Sequence, residues 1–75
     1  MKTKYKYIYF IKGEKALLDE VIWHCWNKKK TLLGSVVYCE QWHEWEFQPK
    51  PMMGFTIECL RDIADFLDQL NKEKT

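Results

Sequence analysis

Seventy-five residues with a net charge of +1 make one domain, residues 1–75, and that balance suits a nucleic-acid binder poorly. Three cysteines, an odd count with no C-x-x-C pair, exclude a secreted disulfide scaffold and fit reduced thiols. No stretch approaches the ~20 apolar residues of a membrane helix, and "MKTKYKYIYFIKG" lacks the apolar core and cleavage site of a leader, so the expected setting is soluble and cytoplasmic.

A chain of this length buries roughly 60–65% of the surface that its unfolded form exposes. Its core needs help from large side chains, a metal, disulfides or a partner. Four Trp, four Tyr and four Phe are the evident help, because each ring buries roughly 150–250 Å². Charge is also divided along the chain. Residues 1–31 hold eight Lys against three acids, and residues 32–75 hold four Lys or Arg against eight acids. Either the two halves attract one another across the fold, or the first presents a basic face.

"KYKYIYFIK", Lys4 to Lys12, predicts a strand that ends at Gly13. Tyr5, Tyr7, Tyr9 and Ile11 fall on one face of it, and its lysines suit a sheet edge. "EKALLDE" is a connection with room for one helical turn. "VIWHCWN", Val21 to Asn27, and "LLGSVVYCE", Leu32 to Glu40, predict two strands joined by a turn at "KKKT". Gly34 inside the second marks a bulge or a close approach by another backbone. "HEWEFQ", His43 to Gln48, alternates cleanly, with His43, Trp45 and Phe47 inward and Glu44, Glu46 and Gln48 outward. Pro49 and Pro51 stop the ladder, since proline has no N–H to donate.

"TIECLRDIADFLDQLNKEK" predicts the one helix. Cys59, Leu60, Ile63, Phe66, Leu67 and Leu70 form its apolar stripe, and Thr56 is its N-cap. Phe55 is placed to pack on Leu60, and Arg61–Asp65 and Asp68–Lys72 stand at i,i+4. The fold class is therefore α+β: an antiparallel sheet of three or four strands with the C-terminal helix packed on one face.

"LLGSVVYCEQWHEWEFQP" and the following "ECLRDIADFLDQLN" resemble a group of short proteins from phages, prophages and mobile elements. Their pattern is an "LG-x-I/V" strand with an aromatic near its end, then "W-x-x-W/Y-x-F-x-P", then an "L-x-x-I-x-x-F-L" helix. Leu33, Gly34, Val36, Tyr38, Trp42, Trp45, Phe47, Pro49, Leu60, Ile63, Phe66 and Leu67 carry the match. The chain departs from it where Arg often follows the first Trp, since His43 and Glu44 stand here. The resemblance implies this fold, and it implies a protein that captures or blocks a host protein.

The residues that bear chemistry point to binding rather than catalysis. Cys39-x3-His43 has tolerable ligand spacing, but adjacent His24 and Cys25 point to opposite strand faces, so no complete zinc set is expected. No local motif joins Cys25 or Cys39 to His43 as nucleophile and base, and no Gly-rich phosphate loop is present, so no cofactor and no enzyme activity is expected. Twelve aromatics exceed what one helix can cover. Trp42, Glu44, Glu46, Tyr5, Tyr7 and Tyr9 are the candidate contacts to a protein partner. The tyrosine face also suits a homodimer. The alternative is nucleic acid held by Lys2, Lys4, Lys6, Lys28, Lys29 and Lys30 beside the tyrosines.

Overall fold

The computed structural model describes residues 1–15 and 20–73. Four strands, β1 (Ile8–Lys15), β2 (Glu20–Asn27), β3 (Leu32–Cys39) and β4 (Glu44–Pro49), precede one helix, α1 (Ile57–Glu73). The strands lie in the order β1-β2-β3-β4, each antiparallel to its neighbour. This is the α+β architecture that the periodicities predict.

Three strands and the helix fall within about a residue of where the sequence places them. The first strand does not. Lys4–Lys12 is not one extended run: the chain reverses at Lys6–Tyr7, where the Tyr5 N–H donates to the Ile8 carbonyl at 2.9 Å. The Phe10 N–H donates back to the Thr3 carbonyl at 2.8 Å, and Lys4 bridges to Tyr9. β1 then continues through Gly13 to Lys15, taking in the start of the expected connection. Glu20 opens β2, and residues 16–19, where one helical turn is expected, lie outside the described residues.

The reversal lets the N-terminal residues add to the core. Tyr5, at 7% exposure, joins Ile8, Phe10, Cys25, Leu33, Val36, Ile63, Phe66 and Leu70 in one buried cluster. Phe66 sits at its centre. Its ring stacks on Phe10 at 4.0 Å between centroids and meets the Trp23 ring edge-on at 5.1 Å. Such pairs add about 0.5–1.5 kcal/mol each beyond the area they bury, which is how a short chain compensates for a small core.

Gly34 meets the expectation of a close backbone approach. A Cβ there would stand 2.6 Å from the Gln48 carbonyl oxygen and 2.9 Å from Pro49 Cα. The β2–β3 register slips by one beside it: Cys25 pairs Gly34 while Trp26 pairs Leu32. Leu33 is the extra residue, and it is buried.

Details of the helix and of β4 differ from expectation. Thr56 caps α1, its Oγ1 accepting from the Cys59 N–H at 3.3 Å. Phe55 packs edge-on to Phe47 at 5.6 Å rather than on Leu60, which is 49% exposed. Asp68 and Lys72 pair at 3.0 Å, whereas Asp65 accepts the hydroxyl of Tyr5. His43 is not an inward strand residue: it is exposed in the β3–β4 turn with φ 57°. Trp45 and Phe47 do pack against the core from β4. The Trp45 N–H donates to Asn71 Oδ1 at 2.8 Å, so the end of the helix blunts that sheet edge.

Candidate interaction surface

Directly paired residues of antiparallel strands share a face. The register therefore sorts the sheet into two surfaces. Phe10, Cys25, Trp23, Val36, Phe47 and Trp45 point toward α1. The other face carries Lys4, Tyr9 and Trp26 in one row, and Ile11, His24, Ser35 and Gln48 in the next. Beyond them come Ile22, then Val37 beside Glu46, and Cys39 beside Glu44. None of these side chains belongs to the buried cluster, and Ile11 is 51% exposed. Tyr9, Ile22, Trp26 and Val37 are half-buried by their neighbours on the sheet. One helix has covered one face, and the second face remains open among the described residues.

Opposite charges mark opposite corners of this open face. At one corner the Lys28 amine lies 5.7 Å from the Tyr9 ring centroid, and Lys4 stands beside Tyr9. At the diagonal corner are Glu44, which is exposed, and Glu46, which accepts from Gln48 Nε2 at 3.0 Å. Trp42 projects from the turn next to that acidic corner and is 70% exposed.

A second polar pair lies nearer the middle of the face. His24 Nδ1 and Ser35 Oγ lie 3.3 Å apart, donor and acceptor depending on the tautomer. The His24 ring lies across Gly13, where a Cβ would stand 3.0 Å from Nε2. A nucleophile–base pair needs a third group to orient the base and donors for an oxyanion. Here the base leans on a bare glycine. Among the described residues no three His, Cys, Asp or Glu side chains converge as they would around a metal ion. All three thiols are free, with Cys25 buried at the core and its pKa pushed up to about 12, first by burial and then by the nearby Cys59.

The sequence-predicted contact residues do not form one patch. Trp42, Glu44, Glu46 and Tyr9 lie on or beside the open face. Tyr5 is a core residue, its hydroxyl donating to Asp65 Oδ2 at 2.8 Å and accepting from Gln69 Nε2 at 3.0 Å. Tyr7 is exposed at the other side, where it lines an open depression of about 510 Å³ with Thr56, Ile57, Glu58 and Cys59. The expected tyrosine face is thus divided by the reversal at Lys6–Tyr7. So is the lysine array. Lys2 and Lys6 stand over Tyr5 and Tyr7, Lys4 and Lys28 flank the open face, and Lys29 and Lys30 occupy the β2–β3 turn. Ile11, Ile22, Trp26 and Val37 are the contact candidates that sequence reading missed. Their signal was the second set of alternating apolar positions on strands whose first set already filled the core. No protein-family model, no curated protein and no solved structure matches this chain.

Proposed function

We propose that this chain is a non-enzymatic protein-binding module whose contact surface is the open face of the sheet. One observation carries the reading. A single helix covers one face, and the other presents Tyr9, Ile11, Ile22, Trp26 and Val37 within a charged rim. Aromatic and aliphatic side chains at the centre of a flat patch, with charges around them, match the anatomy of a protein interface. The resemblance of the last 40 or so residues to mobile-element proteins supports the same reading, because it implies capture of another protein. The nucleic-acid alternative requires lysines and tyrosines to alternate along one strand. The chain reversal leaves that array in pieces, so the protein-binding reading is preferred.

The test is retention of a protein from cell lysate on the immobilised chain, with and without nuclease. Retention that survives nuclease, and that Trp26→Glu or Ile11→Glu abolishes while Arg61→Glu on the helix preserves it, supports the proposal. Retention that nuclease abolishes, or that both outer-face variants leave intact, contradicts it.

A further inference from the structure

We infer that the partner of the open face is a second copy of this chain, packed face to face with its strands nearly perpendicular to the first. This inference rests on the protein-binding reading and names the partner. The argument comes from where the charges sit. The β2–β3 turn and the β3–β4 turn lie at opposite ends of the sheet, and β1 and β4 are its opposite edges. Lys4 and Lys28 therefore occupy one corner of the open face, and Glu44 and Glu46 the diagonally opposite corner.

A two-fold axis lying in the interface reflects the outline of one face onto the other. With the axis parallel to the strands, the lysine corner meets the Gln48–Pro49 corner of the second copy. With the axis perpendicular to them, it meets the far end of β1. With the axis along the remaining diagonal, each lysine corner lies over the glutamates of the other copy. Two identical charge contacts then form at once, as a closed two-fold dimer demands. In a patch nearly as wide as it is long, that diagonal axis turns the strands by about 90°, one of the two stable ways for sheets to pack. Tyr9, Ile11, Ile22, Trp26 and Val37 are enclosed between the charged corners.

The area is modest. Four strands about 4.8 Å apart and six to eight residues long at about 3.3 Å each present roughly 400–500 Å² of footprint. Two copies together reach about 1,000 Å², the lower limit of a specific interface, so a weak dimer is expected and its dissociation is sought in the micromolar range.

Sedimentation velocity over a concentration series from about 1 to about 500 µM brackets that range. The wild-type chain is expected to pass from its 9.2 kDa monomer to twice that mass. Two surface variants identify the geometry. Glu44→Lys with Glu46→Lys places like charges at both contacts and is expected to weaken the dimer about tenfold or more, and Lys4→Glu with Lys28→Glu does the same. Mixed in equal amounts, the two variants regain opposite charges at both contacts, and a mixed dimer is expected at wild-type concentrations.

A wild-type chain that stays monomeric throughout overturns the inference. So does a dimer that neither reversal weakens, or a mixture that fails to recover. If the chain is monomeric yet retains a foreign protein through Trp26 and Ile11, the inference falls and the protein-binding reading stands. If it does neither, both fall.

Discussion

The Tyr5 hydroxyl donates to Asp65 Oδ2 at 2.8 Å across sixty residues of chain. Gln69 Nε2 donates to the same hydroxyl at 3.0 Å and to the Lys2 carbonyl at 2.9 Å. These bonds pin the N-terminal reversal to the middle of α1, so the first residues of the chain complete the core rather than extend β1. Tyr5→Phe keeps the ring that meets Phe10 edge-on at 5.9 Å and removes the hydroxyl. The expected loss is about 1–2 kcal/mol, read from urea unfolding. An unchanged midpoint would mean that the pinning bonds add nothing to stability.

The same hydroxyl makes stability depend on alkaline pH. Burial, and then the hydrogen bond and charge of Asp65, raise the Tyr5 pKa above its ordinary 10.0. The Cys25 thiol is raised by burial from 9.0 to about 12. In both cases the unfolded chain releases a proton that the folded chain still holds. Stability is therefore full below about pH 9 and falls as pH rises through the two folded values. Unfolding midpoints measured from pH 7 to pH 11 should decline only in the upper part of that range, and less steeply for Tyr5→Phe.

Cys25 should be the slowest of the three thiols to react with an aromatic disulfide reagent. It is fully enclosed and its thiolate is disfavoured, whereas Cys39 and Cys59 are partly exposed. Two fast thiols and one slow thiol, the slow rate following denaturant, are expected. Three equal rates would place Cys25 elsewhere.

Alternation made β4 legible, short apolar runs between polar bounds made β2 and β3 legible, and the apolar stripe made α1 legible. β4 and α1 bury one face and wet the other, so there the pattern carries the orientation; in β2 and β3 both faces are apolar and it does not. The first nine residues carry a pattern equally good for two structures. Tyr5, Tyr7 and Tyr9 alternate in a straight strand, and they alternate no less when two residues form a tight turn between Tyr5 and Ile8. No Gly, Asn or Pro marks that turn. The choice is made by Asp65 and Gln69 on a distant helix, which local sequence does not display. For the same reason the proposed contact surface is only half legible: Trp42 and the glutamates are evident, but the apolar run of β2 does not say which of its residues face the helix, and Trp26 and Ile22 are sorted to the open face only by the register.

The β2–β3 turn offers a test in which opposite signs are expected. The Lys30 N–H donates to the Asn27 carbonyl at 3.0 Å, and Asn27 Oδ1 accepts from the N–H groups of Lys29 and Thr31, each at 2.9 Å. Lys30 closes the turn in the left-handed region, with φ 66°. Glycine tolerates that conformation and a β-branched residue does not. Lys30→Gly should therefore stabilise the chain by up to about 1 kcal/mol, and Lys30→Val should destabilise it by about 1–2 kcal/mol, both read from thermal unfolding.

Gly34 offers the complementary case, where space rather than φ is limiting. A methyl there would press on the Gln48 carbonyl and on Pro49 Cα, which are backbone and cannot swing away. Gly34→Ala should cost about 1–3 kcal/mol and loosen β4 from β3, seen as faster amide exchange in β4. Wild-type stability would show that β4 is not held so close.

The central proposal is that the helix-free face of the sheet packs against a second copy of this chain. Fluorine NMR of the chain labelled with 5-fluorotryptophan tests it directly, because the four tryptophans are distributed across the two faces. Trp23 and Trp45 pack toward the helix, Trp26 lies on the open face and Trp42 at its rim. The Trp26 resonance should move with protein concentration and lose its sensitivity to solvent deuterium, while Trp23 and Trp45 stay fixed. A Trp26 resonance that is independent of concentration, or movement confined to Trp23 and Trp45, would contradict the account.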